Sequence, residues 1–194
     1  MLSSRQQARR QERLDAVLAA AWEIAAESGL GAVTLHDVAR RVGLRQPSLY
    51  VYVDSKLGLF DAMYAQAYGE LLARLAALPG GGSARLRLMR VSRVILDFVV
   101  SQPPRQQLLF QRTIPGFTPS EPSYALAEKL VVQVTALLAE VGASRPEQVD
   151  VYTALIAGLG AQQIANDPGG DRWSRLLEPV LNCFLDHRRR EDLP

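Results

Sequence analysis

The amino-acid sequence predicts an all-α chain in two parts, a small N-terminal three-helix domain followed by a larger C-terminal helical domain. Two observations carry this. Apolar side chains recur at i, i+3 and i+4 along most of the chain, and no credible alternating strand pattern competes with them. Punctuation is also uneven: Pro47 alone interrupts residues 1–78, the other ten prolines fall beyond, and Pro79-Gly80-Gly81-Gly82 is the clearest break. With 194 residues, 48% of them apolar and 22% charged, the chain can bury a sizeable core, which excludes disordered and fibrous classes.

Residues 5–28 place Leu14, Val17, Leu18, Ala21, Ile24 and Ala25 on one helical face, and Gly29 is a natural stop. Thr34, with Asp37 three residues on, reads as a capping box opening a short helix that buries Leu35, Val38, Ala39 and Val42 and ends at Gly43. A third short helix spans about Arg45 to Val51, with Pro47 in its first turn, where the missing N–H costs nothing. The fourth begins with Asp54 or Ser55 as cap and runs through Phe60, Met63, Ala67, Leu71 and Leu75 to Leu78.

Beyond the glycine run, helices are expected over 84–101, 104–113, 122–141, 146–165 and 171–187. The last is the best patterned, with Trp173, Leu176, Leu177, Val180, Leu181, Phe184 and Leu185 on one stripe. Pro179 lies inside it and should kink it or open its hydrogen bonding. Cys183 falls on the same stripe as a core or interface residue, with a redox sensor as the alternative. Gly158, Gly160 and Ala161 would let two helices approach closely, or mark a helix irregularity. His187, followed by Arg188, Arg189 and Arg190, reads as a cationic group at a helix C-terminus.

A single cysteine forbids an internal disulfide, and no Cys/His cluster has zinc-ligand spacing, so neither structural metal nor cofactor is expected. No apolar run is long enough to cross a membrane and no signal-peptide core opens the chain, so a cytoplasmic protein without membrane partners is expected. The net charge of +2 argues little, but its distribution argues more. Arg5, Arg9, Arg10 and Arg13 crowd the first thirteen residues against Glu12 alone, and Arg40, Arg41 and Arg45 form a second basic cluster. The first cluster reads equally as a solvated terminus or a DNA-backbone contact.

Two short helices joined by a glycine-containing turn have the layout of a helix-turn-helix, whose second member enters the major groove. Arg45, Gln46 and Ser48 can offer donors and acceptors to base edges, Tyr50 and Tyr52 can reach phosphate, and Leu49 can anchor the helix. The stretch TLHDVARRVGLRQPSLYVYVDSKLGLFDAM, residues 34–63, resembles the signature of the TetR family of transcriptional regulators through Thr34, Val38-Ala39, Gly43, Leu49-Tyr50, Lys56 and Phe60. Val51 and Val53 depart from it, standing where many relatives have a polar or aromatic residue and a phenylalanine.

That resemblance implies phosphate contacts from Thr34, Tyr50 and Lys56, and contacts to base edges or thymine methyls from Gln46, Pro47, Ser48 and Tyr52. His36 would be a base contact or a surface histidine. It further implies a homodimer through the final two helices, a palindromic double-stranded DNA operator and a small-molecule effector. The expected domains are a DNA-binding helix-turn-helix domain over 1–55 and a ligand-binding and dimerisation domain over 56–194, with residues 56–78 as connecting helix. Phe98, Phe110, Phe117, Tyr124 and Trp173 are the aromatic candidates to line a ligand cavity, or are simply core. The expected function is a repressor released by a mostly apolar ligand. Two other classes stay open: a constitutive DNA-binding dimer with a filled interior, and an enzyme with an appended DNA-binding domain. Against the second, no acid–base pair, nucleophile motif or phosphate loop follows residue 78.

Overall fold

The computed structural model describes residues 4–111 and 113–191. Among them are nine α-helices and no strand: α1 (Ser4–Ser28), α2 (Leu35–Arg41), α3 (Gln46–Leu49), α4 (Lys56–Ala76), α5 (Ala84–Ser101), α6 (Pro103–Phe110), α7 (Glu121–Glu140), α8 (Pro146–Asn166) and α9 (Leu177–Glu191). Short 3₁₀ turns at Leu30–Ala32 and Ser174–Leu176 precede α2 and α9. The chain gathers into two compact units: Met1–Ala67 with Gln107–Tyr124, and Tyr68–Gln106 with Ala125–Pro194.

In the first unit, α1 buries the stripe that its spacing predicts, from Val17 to Ala25. Val38 and Ala39 of α2, Leu49 of α3 and Leu59, Phe60 and Met63 of α4 are also buried to 5% exposure or less. The Trp22 indole donates to Gln66 Oε1 across 2.9 Å. Residues 107–124 are fastened to α4 at two places. Asp61 accepts from the Ser120 backbone N–H at 2.7 Å and from the Ser120 and Ser123 hydroxyls at 2.8 and 2.9 Å. Phe117 meets Phe60 and Tyr64 edge-on, with ring centroids 6.2 and 6.1 Å away.

The second unit is built on long helices. A Cβ at Gly160 of α8 would sit 3.2 Å from Val99 Cγ2 of α5, so one of the small residues singled out in the sequence serves close packing within the chain. Gly158 has open space where its Cβ would be. Two buried polar groups are tied down. Ser92 and Tyr152 share a 2.7 Å hydrogen bond, and burial pushes the Tyr152 phenol up to about 12. The fully buried Gln163 accepts from the Trp173 and Ser174 N–H groups at 2.8 and 3.0 Å and donates to Asp167, which fixes the chain between α8 and α9.

Three local expectations are corrected. The last helix is not one element from residue 171, because α9 starts at Leu177 after a 3₁₀ turn. Pro179 therefore sits in its first turn, where no intrahelical N–H is needed, and interrupts nothing. The third helix ends at Leu49 rather than Val51: the Tyr52 and Val53 N–H groups both close on the Leu49 carbonyl, at 2.9 and 3.1 Å, and turn the chain toward α4. Cys183 is exposed in the single chain, so it is not a core residue. The side chains of His187 to Arg190 lie outside the described residues.

Candidate nucleic-acid interface

Four residues of α3 and seven of α2 are too few to hold helical shape alone, so their surroundings set it. Thr34 caps α2 as its spacing predicts: Oγ1 accepts from the Asp37 N–H at 3.1 Å and donates to Asp37 Oδ2 at 2.6 Å. That hydroxyl bond holds the Asp37 carboxyl below its ordinary range. Gly43, at φ 68°, makes the turn between α2 and α3 in a backbone region that side-chain-bearing residues rarely adopt. Leu49 is fully buried and pins α3, while Arg45, Pro47, Ser48 and Tyr50 remain exposed and Gln46 and Tyr52 half-buried.

Lys56 opens α4. Its ammonium donates to the Gly31 carbonyl at 3.2 Å and lies 5.7 Å from the centre of the Phe60 ring. His36, in the first turn of α2, is exposed, and Thr34 is half-buried. The nine predicted DNA-contacting residues thus all fall in the first unit, on α2, α3 and the chain leading into α4. The departures at Val51 and Val53 have opposite consequences: Val53 is buried and Val51 is 63% exposed beside Tyr50.

The second basic cluster is less free than its composition suggests. Arg41 makes paired bonds of 2.9 and 2.8 Å to Glu27 and reaches Glu23 at 3.5 Å, while Arg40 binds Asp37 at 3.0 Å. The bond from Arg41 draws the Glu27 carboxyl below its usual range. Arg41 braces α2 against α1 while Arg40 pairs within α2, and only the folded chain, not the local sequence, pairs positions fourteen apart.

The five aromatic candidates for a ligand cavity do not come together in one unit. Phe110, Phe117 and Tyr124 belong to the first and Phe98 and Trp173 to the second. Phe110 and Tyr124 are exposed, whereas Phe98 is fully buried beneath two guanidinium groups, those of Arg74 and Arg105, at 5.0 and 4.7 Å. Both arginines bond Glu70; burial pushes that carboxyl up, and the two bonds outweigh it and bring it down. Among the described residues no group of three or more His, Cys, Asp or Glu could hold a metal, and no helix is long and apolar enough to cross a membrane.

Residues 17–63 match the family model described as bacterial regulatory proteins, tetR family. That segment carries the tetR-family domain. The match covers α2, α3, the turn between them and the start of α4, and so includes every predicted DNA-contacting residue. Across 159 residues, 81% of this chain and 71% of the relative, it is 25% identical to the HTH-type transcriptional activator FasR of Mycolicibacterium smegmatis. Across 78 residues it is 33% identical to the class D tetracycline repressor of Escherichia coli, a match covering 39% of this chain and about a third (34%) of the repressor. Its fold is that of the transcriptional regulator FadR from Bacillus subtilis in complex with stearoyl-CoA, at a TM-score of 0.75, 14% identity, and 88% and 97% coverage of this chain and that one. These relatives are described as a transcriptional activator, a repressor and a transcriptional regulator.

Proposed function

We propose that this chain is a TetR-type repressor that binds an inverted-repeat operator as a homodimer and leaves it when a small, mostly apolar molecule binds. The observation that carries the reading is α3: one residue, Leu49, is sunk in the core while its neighbours stand clear of it. Arg45, Gln46, Pro47, Ser48 and Tyr52 then face base edges, with His36 beside them, and Thr34, Tyr50 and Lys56 hold phosphates. So short a helix reads too few bases for a useful site, and two-fold protein symmetry doubles it. Ala154, Ala157, Gly158 and Ala165 leave α8 with an exposed face of small residues on which a second copy fits closely. Cys183 and Phe184 of α9 would border that interface.

Residues 1–55 act as the reading head and residues 56–194 as the sensing and dimerising part, with α4 as an unbroken helix from Lys56. The fold likeness to a regulator crystallised with stearoyl-CoA supports an elongated apolar ligand, with Phe98, Phe110, Phe117, Tyr124 and Trp173 as candidate contacts. Likeness to an activator over most of the chain favours a second reading, in which binding raises transcription. Selection of bound DNA from a random pool tests the main claim. Sites with dyad symmetry are expected. Gln46→Ala should relax preference at one position by about 1–3 kcal/mol, while Lys56→Ala should weaken all sequences alike and lower the salt slope by about one. Selected sites without dyad symmetry, or equal effects of both changes on cognate and random DNA, would refute it. Transcription from a promoter carrying the selected site, with and without long-chain acyl-CoA, then gives the sign of regulation.

A further inference from the structure

The arginines that open the chain stand on a formed helix. α1 is helical from Ser4, residues 4–13 are all exposed, and its first buried side chain is Val17. These ten residues thus contribute nothing to the core, and Arg5, Arg9, Arg10 and Arg13 stand among them against Glu12 alone. Arg5, Arg9 and Arg13 recur every four residues and share one face, with Arg10 at its edge. The stripe works against its own helix: its like charges repel at i, i+4, and Arg5 opposes the macrodipole in a first turn that has no acid to compensate. An external polyanion relieves that conflict.

A second observation says where the polyanion lies. Arg10 donates to the Val51 carbonyl at 3.2 Å, which ties the stripe to the end of the reading helix, beside the half-exposed Tyr50 and the exposed Val51. Ten helical residues rise about 15 Å. Along duplex DNA that length carries about four phosphates of one strand. We propose that the N-terminal turns of α1 are a second DNA-contacting element, in which Arg5, Arg9, Arg10 and Arg13 neutralise backbone phosphates flanking the bases that α3 reads.

This rests on the reading of α3 as the base-contacting helix, and the two can fail separately. Operator affinity of the full chain would be measured against salt, on duplexes with long and with trimmed flanks. Arg5→Ala/Arg9→Ala/Arg13→Ala leaves Arg10 and its tie to Val51 in place. It should lower the salt slope by about 0.9 for every phosphate no longer neutralised, weaken binding at least about tenfold, and remove the benefit of long flanks, with base preference unchanged. The corresponding triple Lys variant should keep the slope. Unchanged slope and unchanged flank dependence in the Ala variant would overturn the proposal. So would arginine-dependent binding to anionic phospholipid vesicles with the DNA slope unmoved. A chain whose slope depends on the arginines but which selects no sequence keeps the stripe and overturns the reading by α3.

Discussion

The two units solve the same problem, holding helices together, by opposite means. In the first, α2 and α3 are so short that little beyond a cap, a left-handed glycine and one or two buried side chains defines them, and ion pairs from Arg41 brace α2 to α1. In the second, helices of 15 to 21 residues carry their own shape, and polar atoms are spent inside, at Ser92 with Tyr152 and at Gln163. The α2–α3 segment therefore hangs on few interactions. The larger unit distributes its stability and buries its hydrogen bonds.

The contrast predicts a hierarchy of effects. Leu49→Ala should be the most damaging, at about 2–5 kcal/mol, because the residue is fully buried and α3 has no other buried anchor. Hydrogen exchange read unit by unit would place the loss in the first unit alone; equal loss in both would break the comparison. Next comes alkaline stability of the second unit. Tyr152 ionises near 10.0 when unfolded and only near 12 when folded. The stabilisation is therefore complete below pH 10 and falls as pH rises through the interval to 12, by about 1.4 kcal/mol per pH unit. Tyr152→Phe, less stable at neutral pH through loss of the Ser92 bond, should flatten that alkaline decline; an unchanged decline would assign it to other groups. The smallest effect belongs to Thr34→Ala, which removes the cap of α2 at about 1 kcal/mol and should appear as earlier melting of the first unit in a thermal scan.

Legibility in the sequence followed the range of the interaction. The Thr34 cap, the Gly43 turn and the buried Leu49 were all readable because each is decided within four residues of itself. The start of α9 was misread because the stripe from Trp173 continues through the 3₁₀ turn with helical spacing, and only the capture of the Trp173 and Ser174 N–H groups by Gln163, ten residues upstream, shows the chain turning there. The pairing of Arg41 with Glu27 and of Asp61 with Ser120 was equally invisible, since charge and hydroxyl spacing along a chain do not say which partners meet.

The clamp at Asp61 has a consequence for the order in which the molecule is made. The first unit is not a contiguous stretch of chain, because residues 107–124 complete it and Asp61, Ser120 and Ser123 stitch that late piece to the early one. A ribosome adding about 5 to 20 residues per second needs several seconds after finishing α4 to release them. Through that interval the nascent first unit lacks the Phe117 ring against Phe60 and Tyr64 and the three hydrogen bonds to Asp61. Completion of the first unit thus waits on translation of the segment that follows α6.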